Sequence, residues 1–375
     1  MLNISAYLTE LEQLRNTMIE RRETAIGVPV NLAANYQSIL PVLGDVFLNN
    51  IGDIFVERKR SFSTHTYEQK VLSFFAQLYA LAEDEWWGYI TSGSTEGNMY
   101  GLWLARERYP QGMLYYSADS HYSINKIARI LRMNKTVIPS LDNGEINYHL
   151  LEQAIQQRPS QAVIINLNVG TTMKGAIDNL ELILSILEKY HIRDFHIHCD
   201  AALFGGFLPF LESVPAINFT QPISSMAISG YKFIGSPIPC GIILTRKNLS
   251  EHIKQAVEYI SSWDTTITGS RNGHTPLILW FIITTKGYEG LQQEARMCVQ
   301  NARIFYEQLT ALSYPCFLNV HSNILVLKKP SDTLVEKWRL LTEGDWSHIV
   351  VMPHVTYEKF IQFLHDLTEE VVQCG

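Results

Sequence analysis

Lys232 stands in Ala227-Ile-Ser-Gly-Tyr-Lys-Phe-Ile-Gly-Ser236, and Asp200 closes His196-Ile-His-Cys-Asp200 with Ala201 and Ala202 behind it. The lysine follows one short β-run, downstream of the aspartate that ends another. An amine and a carboxylate in that order suit the anchoring of pyridoxal phosphate. The amine forms a Schiff base with the cofactor aldehyde, and the carboxylate keeps the ring nitrogen protonated so that the ring accepts electrons. Upstream, Thr91-Ser-Gly-Ser-Thr-Glu-Gly-Asn98 is a turn of small residues between a strand and a helix start. Backbone N–H groups there lie at the positive end of the helix dipole, where a phosphate dianion is favoured. The same composition also makes an ordinary N-cap, the commoner use of such turns.

A carboxylate at the buried end of a strand costs free energy unless paired, and a pyridinium N–H is a fitting partner for Asp200. Capping of the next segment, or pairing with an arginine, is the rival reading. Small Ala202 lets a flat ring lie against the backbone. His121, in Ala118-Asp-Ser-His-Tyr-Ser123, follows a strand and has the chemistry to stack on a pyridine face or move a proton; a structural role is its alternative. Thr171 and Thr172, in Asn168-Val-Gly-Thr-Thr-Met-Lys174, offer hydroxyls to a phenolic oxygen or to plain turn chemistry. Lys174 competes with Lys232, which is preferred because it lies beyond Asp200 and precedes Gly235-Ser236-Pro237. His196 and His198 alternate on one strand face without a third ligand nearby. They read as core residues supporting the site, and no metal is expected.

The elements that must position these groups alternate. Short apolar strands are expected at 88–91, 113–116, 162–167, 195–199, 225–229 and 241–245, with helices after 94, after 122 and over 178–190. The run Ala162–Leu167 is apolar but for Asn166, as in a sheet covered on both faces. Strand–helix alternation implies an α/β domain with a largely parallel sheet. After about residue 260 the texture changes to a long helix over 290–312, strands near 323–327 and 348–352, and helices at 334–341 and from 358. Residues 5–24 read as an amphipathic helix with Leu8, Leu11 and Leu14 on one stripe. The expected organisation is an N-terminal helical arm (1–55), a large cofactor-binding α/β domain (56–260) and a small C-terminal α+β domain (261–375).

Composition narrows the function classes. The chain has 375 residues, 46% hydrophobic and 18% charged, which suits a globular protein. With 30 Lys+Arg against 37 Asp+Glu the net charge is −7, and no dense basic run offers itself to nucleic acid or an anionic membrane. Five scattered cysteines, Cys199, Cys240, Cys298, Cys316 and Cys374, without a C-x-x-C pair, read as reduced thiols of a cytoplasmic protein. No secretion signal or spanning segment is expected.

As an ordered set the motifs resemble the group II pyridoxal-phosphate-dependent amino-acid decarboxylases, in particular the short bacterial histidine decarboxylases and the plant serine decarboxylases. The resemblance runs from about Asn50 to Val355. It is carried by Asn50-Ile-Gly-Asp53, Gly88–Asn98, Ser120-His-Tyr-Ser123, Asn168–Thr172, His198-Cys-Asp-Ala-Ala202, Ser229-Gly-Tyr-Lys232, Pro239-Cys-Gly241, Gly269-Ser-Arg-Asn-Gly-His-Thr-Pro276 and Val350-Val-Met-Pro353. It implies fold type I of the pyridoxal phosphate enzymes: a mainly parallel seven-stranded sheet with covering helices, plus the smaller C-terminal domain. It also implies a homodimer with shared active sites and a small amino-acid substrate. Lys232 would carry the cofactor, Asp200 would face the ring nitrogen, and His121 and Ala202 would lie on the two ring faces. Thr172 would sit near the phenolic oxygen, and Ser94, Thr95 and Ser229 would hold the phosphate. Ser270 belongs to the turn expected to reach the neighbouring subunit's site.

Two departures stand out. The family's usual histidine before the lysine is Tyr231 here, which keeps one hydrogen-bond donor and loses a positive charge. The loop that supplies a proton-donating tyrosine in the longer aromatic decarboxylases is short, Glu258–Asp264, with Tyr259 as its candidate. The expected reaction is α-decarboxylation of an L-amino acid. L-Histidine to histamine is the first choice and L-serine to ethanolamine the second; decarboxylation coupled to oxidative deamination is the other chemistry open to the scaffold. Residues 27–66 are expected to line the pocket.

Overall fold

The computed structural model describes residues 4–56 and 62–374; residues 57–61, within the stretch expected to line the pocket, lie outside the described ones. Seven strands build the main sheet: β1 (Trp86–Thr91), β2 (Met113–Ser117), β3 (Asn134–Ile138), β4 (Val163–Asn168), β5 (Phe195–Asp200), β6 (Ser225–Ser229) and β7 (Gly241–Arg246). Their spatial order is β1-β7-β6-β5-β4-β2-β3, and only β7 runs against the rest. β1, β4 and β6 are buried along their whole length. This is the signature of a sheet covered on both faces, where each buried Ile or Leu contributes about 1.5–3 kcal/mol. The edge strand β3, Asn-Lys-Thr-Val-Ile, escapes the sequence reading because its polar, partly exposed residues lack an apolar run.

Because β1 and β6 both oppose β7, the C-terminal ends of six strands open at one edge of the sheet. The turns after Thr91, Ser117, Asn168, Asp200 and Ser229 all emerge there. In open α/β sheets that edge is where ligands bind.

Helix α1 (Ser94–Arg108) follows β1, and α2 (Tyr122–Ile130) follows β2. Ile124, Ile127 and Ala128 of α2 pack with Leu102 and Ala105 of α1, Leu114 of β2 and Ile164 of β4 in one dry cluster, the i, i+3, i+4 stripe of an amphipathic helix. Helix α3 (Leu180–Lys189) is N-capped by Asn179, whose side chain accepts from Leu182 N–H at 3.1 Å. Helix α4 (His274–Ala311) starts sixteen residues before the expected Gly290 and breaks at Gly287, whose φ of 64° is left-handed. Its first half is apolar nearly all round, so no periodic stripe marks it as helical.

The chain divides into two compact units, Ala33–Arg296 and Met1–Leu32 with Met297–Gly375. The first holds the seven-stranded sheet. In the second, β8 (Cys316–Leu318), β9 (Ile324–Lys328), β10 (Leu341–Glu343) and β11 (Trp346–Val350) form an antiparallel sheet in the order β8-β9-β11-β10, with α5 (Asp332–Trp338) and α6 (Tyr357–Cys374). Phe305 stacks on Phe360 with centroids 3.9 Å apart. The N-terminal segment is tied into the same unit: Ile26 C=O accepts from Val350 N–H at 2.8 Å. The N-terminal helix Ile4–Glu23 leaves Leu8, Leu11 and Leu14 exposed. Among the described residues no helix is long and apolar enough to cross a membrane.

Candidate active site

Asp200 ends β5 with His198 and His196 two and four residues before it, so all three side chains leave the same face of the strand. That face lies under α1. Asn98 of α1 donates from Nδ2 to Asp200 Oδ2 at 2.8 Å, and its Oδ1 lies 3.0 Å from His198 Nε2. The second carboxylate oxygen accepts from Ala202 N–H at 3.3 Å. Asp200 is nearly buried and Ala202 partly exposed beside it. Of the two rival readings, arginine pairing does not apply, since no arginine pairs with Asp200 among the described residues. The 3.3 Å contact from Ala202 N–H is a cap on the next segment that exists beside the amide contact.

Lys232 lies in the turn after β6. Burial lowers the proton affinity of its amine, and the Asp200 carboxylate acts in the opposite direction. His121 is the N-cap of α2; its Nδ1 accepts from Ser123 N–H at 3.3 Å and lies 2.7 Å from Ser123 Oγ. Burial lowers the His121 pKa, Asp200 opposes that shift, and Lys232 adds to it. Three ionisable groups from three separate turns therefore act on one another across the sheet edge. Lys174, the competing lysine, is paired with Asp119 at 3.0 Å.

At the start of α1, Glu96 holds the turn. It accepts from Ser92 N–H at 2.8 Å, Ser92 Oγ at 2.6 Å and Tyr89 OH at 2.9 Å. That occupies Ser92 and leaves Ser94 to meet Ser229 of β6, their hydroxyl oxygens 2.5 Å apart. Burial raises the Tyr231 phenol pKa, and the nearby Ser229 hydroxyl opposes that shift. Thr95 is half-buried on the first turn. Gly241 is required here: a Cβ would come within 2.5 Å of Thr91 Oγ1 and 2.9 Å of Ser94 N. A hydroxyl pair and a helix N-terminus thus come together where the Gly241 backbone packs closely against the turn.

Three expected residues are solvent-exposed. Thr172 is exposed, whereas its neighbour Thr171 is buried and accepts from Ala176 N–H at 3.0 Å. Ser270 is exposed on the short strand Ser270–Asn272, which pairs with Asn49–Ile51; its Oγ accepts from Asn49 Nδ2 at 3.3 Å. Tyr259 is 90% exposed between the strands Gln255–Val257 and Ser262–Asp264. Asn98 and Glu96 carry the local geometry and had no role in the sequence reading. The available signal was their place on the first turns of a helix beside the hydroxyl-rich turn.

Residues 29–325 match the family model for the pyridoxal-dependent decarboxylase conserved domain. The chain belongs to this decarboxylase family. It is 43% identical over 347 residues to serine decarboxylase 2 of Oryza sativa subsp. japonica, covering 92% of this chain and 74% of that one. It is 39% identical over 346 residues to the histidine decarboxylase of Acinetobacter baumannii (strain ACICU), covering 92% and 90%. Among solved structures, L-methionine decarboxylase from Streptomyces sp. 590 superposes with a TM-score of 0.88 at 26% identity, over 98% of this chain and 95% of that one. The decarboxylase is a pyridoxal-phosphate-dependent enzyme of fold type I that acts on an amino acid. The residues present suit that cofactor: a desolvated amine, a nearly buried carboxylate with acceptor capacity left, and a hydroxyl-bearing helix N-terminus stand at one sheet edge.

Proposed function

We propose that this decarboxylase converts L-histidine to histamine and CO₂ with pyridoxal 5′-phosphate carried on Lys232. When bound, the cofactor supplies an aldehyde for amine attachment and a pyridinium ring that takes up the electron pair released with CO₂. Lys232 contributes an amine whose proton burial weakens, so that the nucleophilic form is available at lower pH than on a surface lysine. Asp200 holds a proton at the ring nitrogen. His121 and Ala202 confine the ring between them, and an imidazole of lowered pKa is suited to pass a proton. Ser94, Thr95, Ser229 and Tyr231 hold the phosphate, with Thr172 near the phenolic oxygen.

Relatedness supports histidine: the histidine decarboxylases of Solanum lycopersicum and Acinetobacter baumannii (strain ACICU) are 42% and 39% identical over 96% and 92% of this chain. The second reading, L-serine to ethanolamine, is supported by rice serine decarboxylase 2 at 43% identity. A screen of the common L-amino acids for CO₂ release decides between them. Histamine as the dominant product supports the first reading, and ethanolamine replaces it with the second. We also infer a cytoplasmic homodimer in which Ser270 approaches the partner's site; the exposed apolar stripe of the N-terminal helix is suited to such a contact. Sedimentation at micromolar concentration tests the dimer.

A further inference from the structure

We propose that Asn98 and His198 are positioning residues that aim a one-way chain of hydrogen-bond donors at Asp200. Ser225 Oγ–H donates to His198 Nδ1, His198 Nε2–H to Asn98 Oδ1, and Asn98 Nδ2–H to Asp200 Oδ2. The distances along it are 2.8, 3.0 and 2.8 Å.

The chemistry of the end group sets every direction. An ionised carboxylate only accepts, so Asn98 must present its NH₂ group to Asp200 and its carbonyl to His198. That carbonyl only accepts, so the proton of the neutral His198 ring sits on Nε2 and leaves Nδ1 bare. Ser225 gives its single proton to that nitrogen. His196 Nε2, 3.4 Å from Ser225 Oγ, is then left to donate to the serine oxygen.

The fold supports this arrangement at each link. His198 and Ser225 are directly paired in the register of β5 and β6. Asn98, His198 and Ser225 are all buried to within 1% of full enclosure. Gly101, one helical turn beyond Asn98, is the residue that admits the ring, since a Cβ there would stand 2.2 Å from His198 Nδ1. Burial keeps both imidazoles neutral, each with a pKa pushed down to about 3, so the chain keeps its direction across the working pH range. In a dry interior such links reinforce one another. Asp200 Oδ2 is fixed by the amide, while Oδ1, with only the 3.3 Å contact from Ala202 N–H, retains acceptor capacity.

The consequence for the cofactor rests on the reading of Asp200 as the partner of the ring nitrogen; the direction of the chain does not. Two measurements separate them. In cofactor-free, full-length protein labelled with ¹⁵N-histidine, the signal lost in His198→Gln should report a proton on Nε2 and a bare Nδ1. A proton on Nδ1, or an imidazolium at neutral pH, overturns the chain. The dissociation constant for pyridoxal phosphate, followed by fluorescence, tests its purpose. Asn98→Ala and His198→Phe should weaken binding about tenfold or more. His198→Gln should stay near wild type, because its carbonyl can accept from Ser225 and its amide can donate to Asn98. Equal losses in the Phe and Gln variants contradict the positioning role. Wild-type protein that takes up no cofactor would instead remove the reading of Asp200, and the tautomer result would still decide the chain.

Discussion

Burial makes the Lys232 amine a stronger candidate nucleophile than any solvated lysine, because desolvation penalises the ammonium form while Asp200 only partly restores it. Capture of pyridoxal phosphate by cofactor-free protein should therefore rise with pH to a midpoint below the ordinary lysine value of about 10.4. In Asp200→Asn the midpoint should move lower still, since the carboxylate raises the amine's proton affinity; an upward move would contradict this. Lys232→Ala should abolish both turnover and the visible band of the bound cofactor. Survival of the band would assign the cofactor to another lysine, and Lys174 is disfavoured by its pairing with Asp119. Tyr231 is the residue at which this chain leaves its family's pattern. Its phenol lies near Ser229 and carries no positive charge.

The strands and turns around the site depend on buried polar residues as much as on apolar runs. Asp178, just before α3, accepts from Ile146 N–H, Asn168 N–H and Asn168 Nδ2, each at 2.8 Å, and joins two turns to the end of β4. Asp178→Ala would strand three buried donors. Each costs about 1–3 kcal/mol, so stability should fall by about 3 kcal/mol or more, read as a shift in the urea midpoint. A loss under about 1 kcal/mol would mean that water replaces the carboxylate. Most large-sheet strands were legible because strands covered on both faces carry short apolar runs, such as Val163-Ile-Ile165. Helix α1 was legible mainly by its start. Buried on several sides, it shows little periodicity, and the residues that matter on it, Glu96 and Asn98, are polar.

Across the molecule, three buried histidines set an acid limit. His196 and His198 are pushed down to about 3 and His354 to about 4 by burial. Unfolding returns each to about 6.5, so between these values the unfolded chain binds more protons than the folded one. The stability these neutral rings leave intact above pH 6.5 is lost on acidification, at about 1.4 kcal/mol per pH unit for each ring. Urea titrations from pH 7 to 4.5 should show that decline, and His198→Gln should make it shallower. A pH-independent midpoint would rule out this account. The unit built from both chain ends, Met1–Leu32 with Met297–Gly375, draws together residues of the expected arm and of the expected small domain. Spacing along a chain carries no record of which distant segments share a core.

Local chemistry was enough to find the lysine, the carboxylate and the hydroxyl-rich turn, because each is a residue type at a strand end and strand ends follow from hydrophobic runs. It was enough for the alternating α/β plan as well. The partners of those groups were a different matter. That Asn98 bridges Asp200 to His198 and that Ser94 meets Ser229 depend on helix α1 lying across β5 and β6. Hydrogen bonds between residues about a hundred positions apart are created by packing, and no pattern in the order of residues encodes their length or direction.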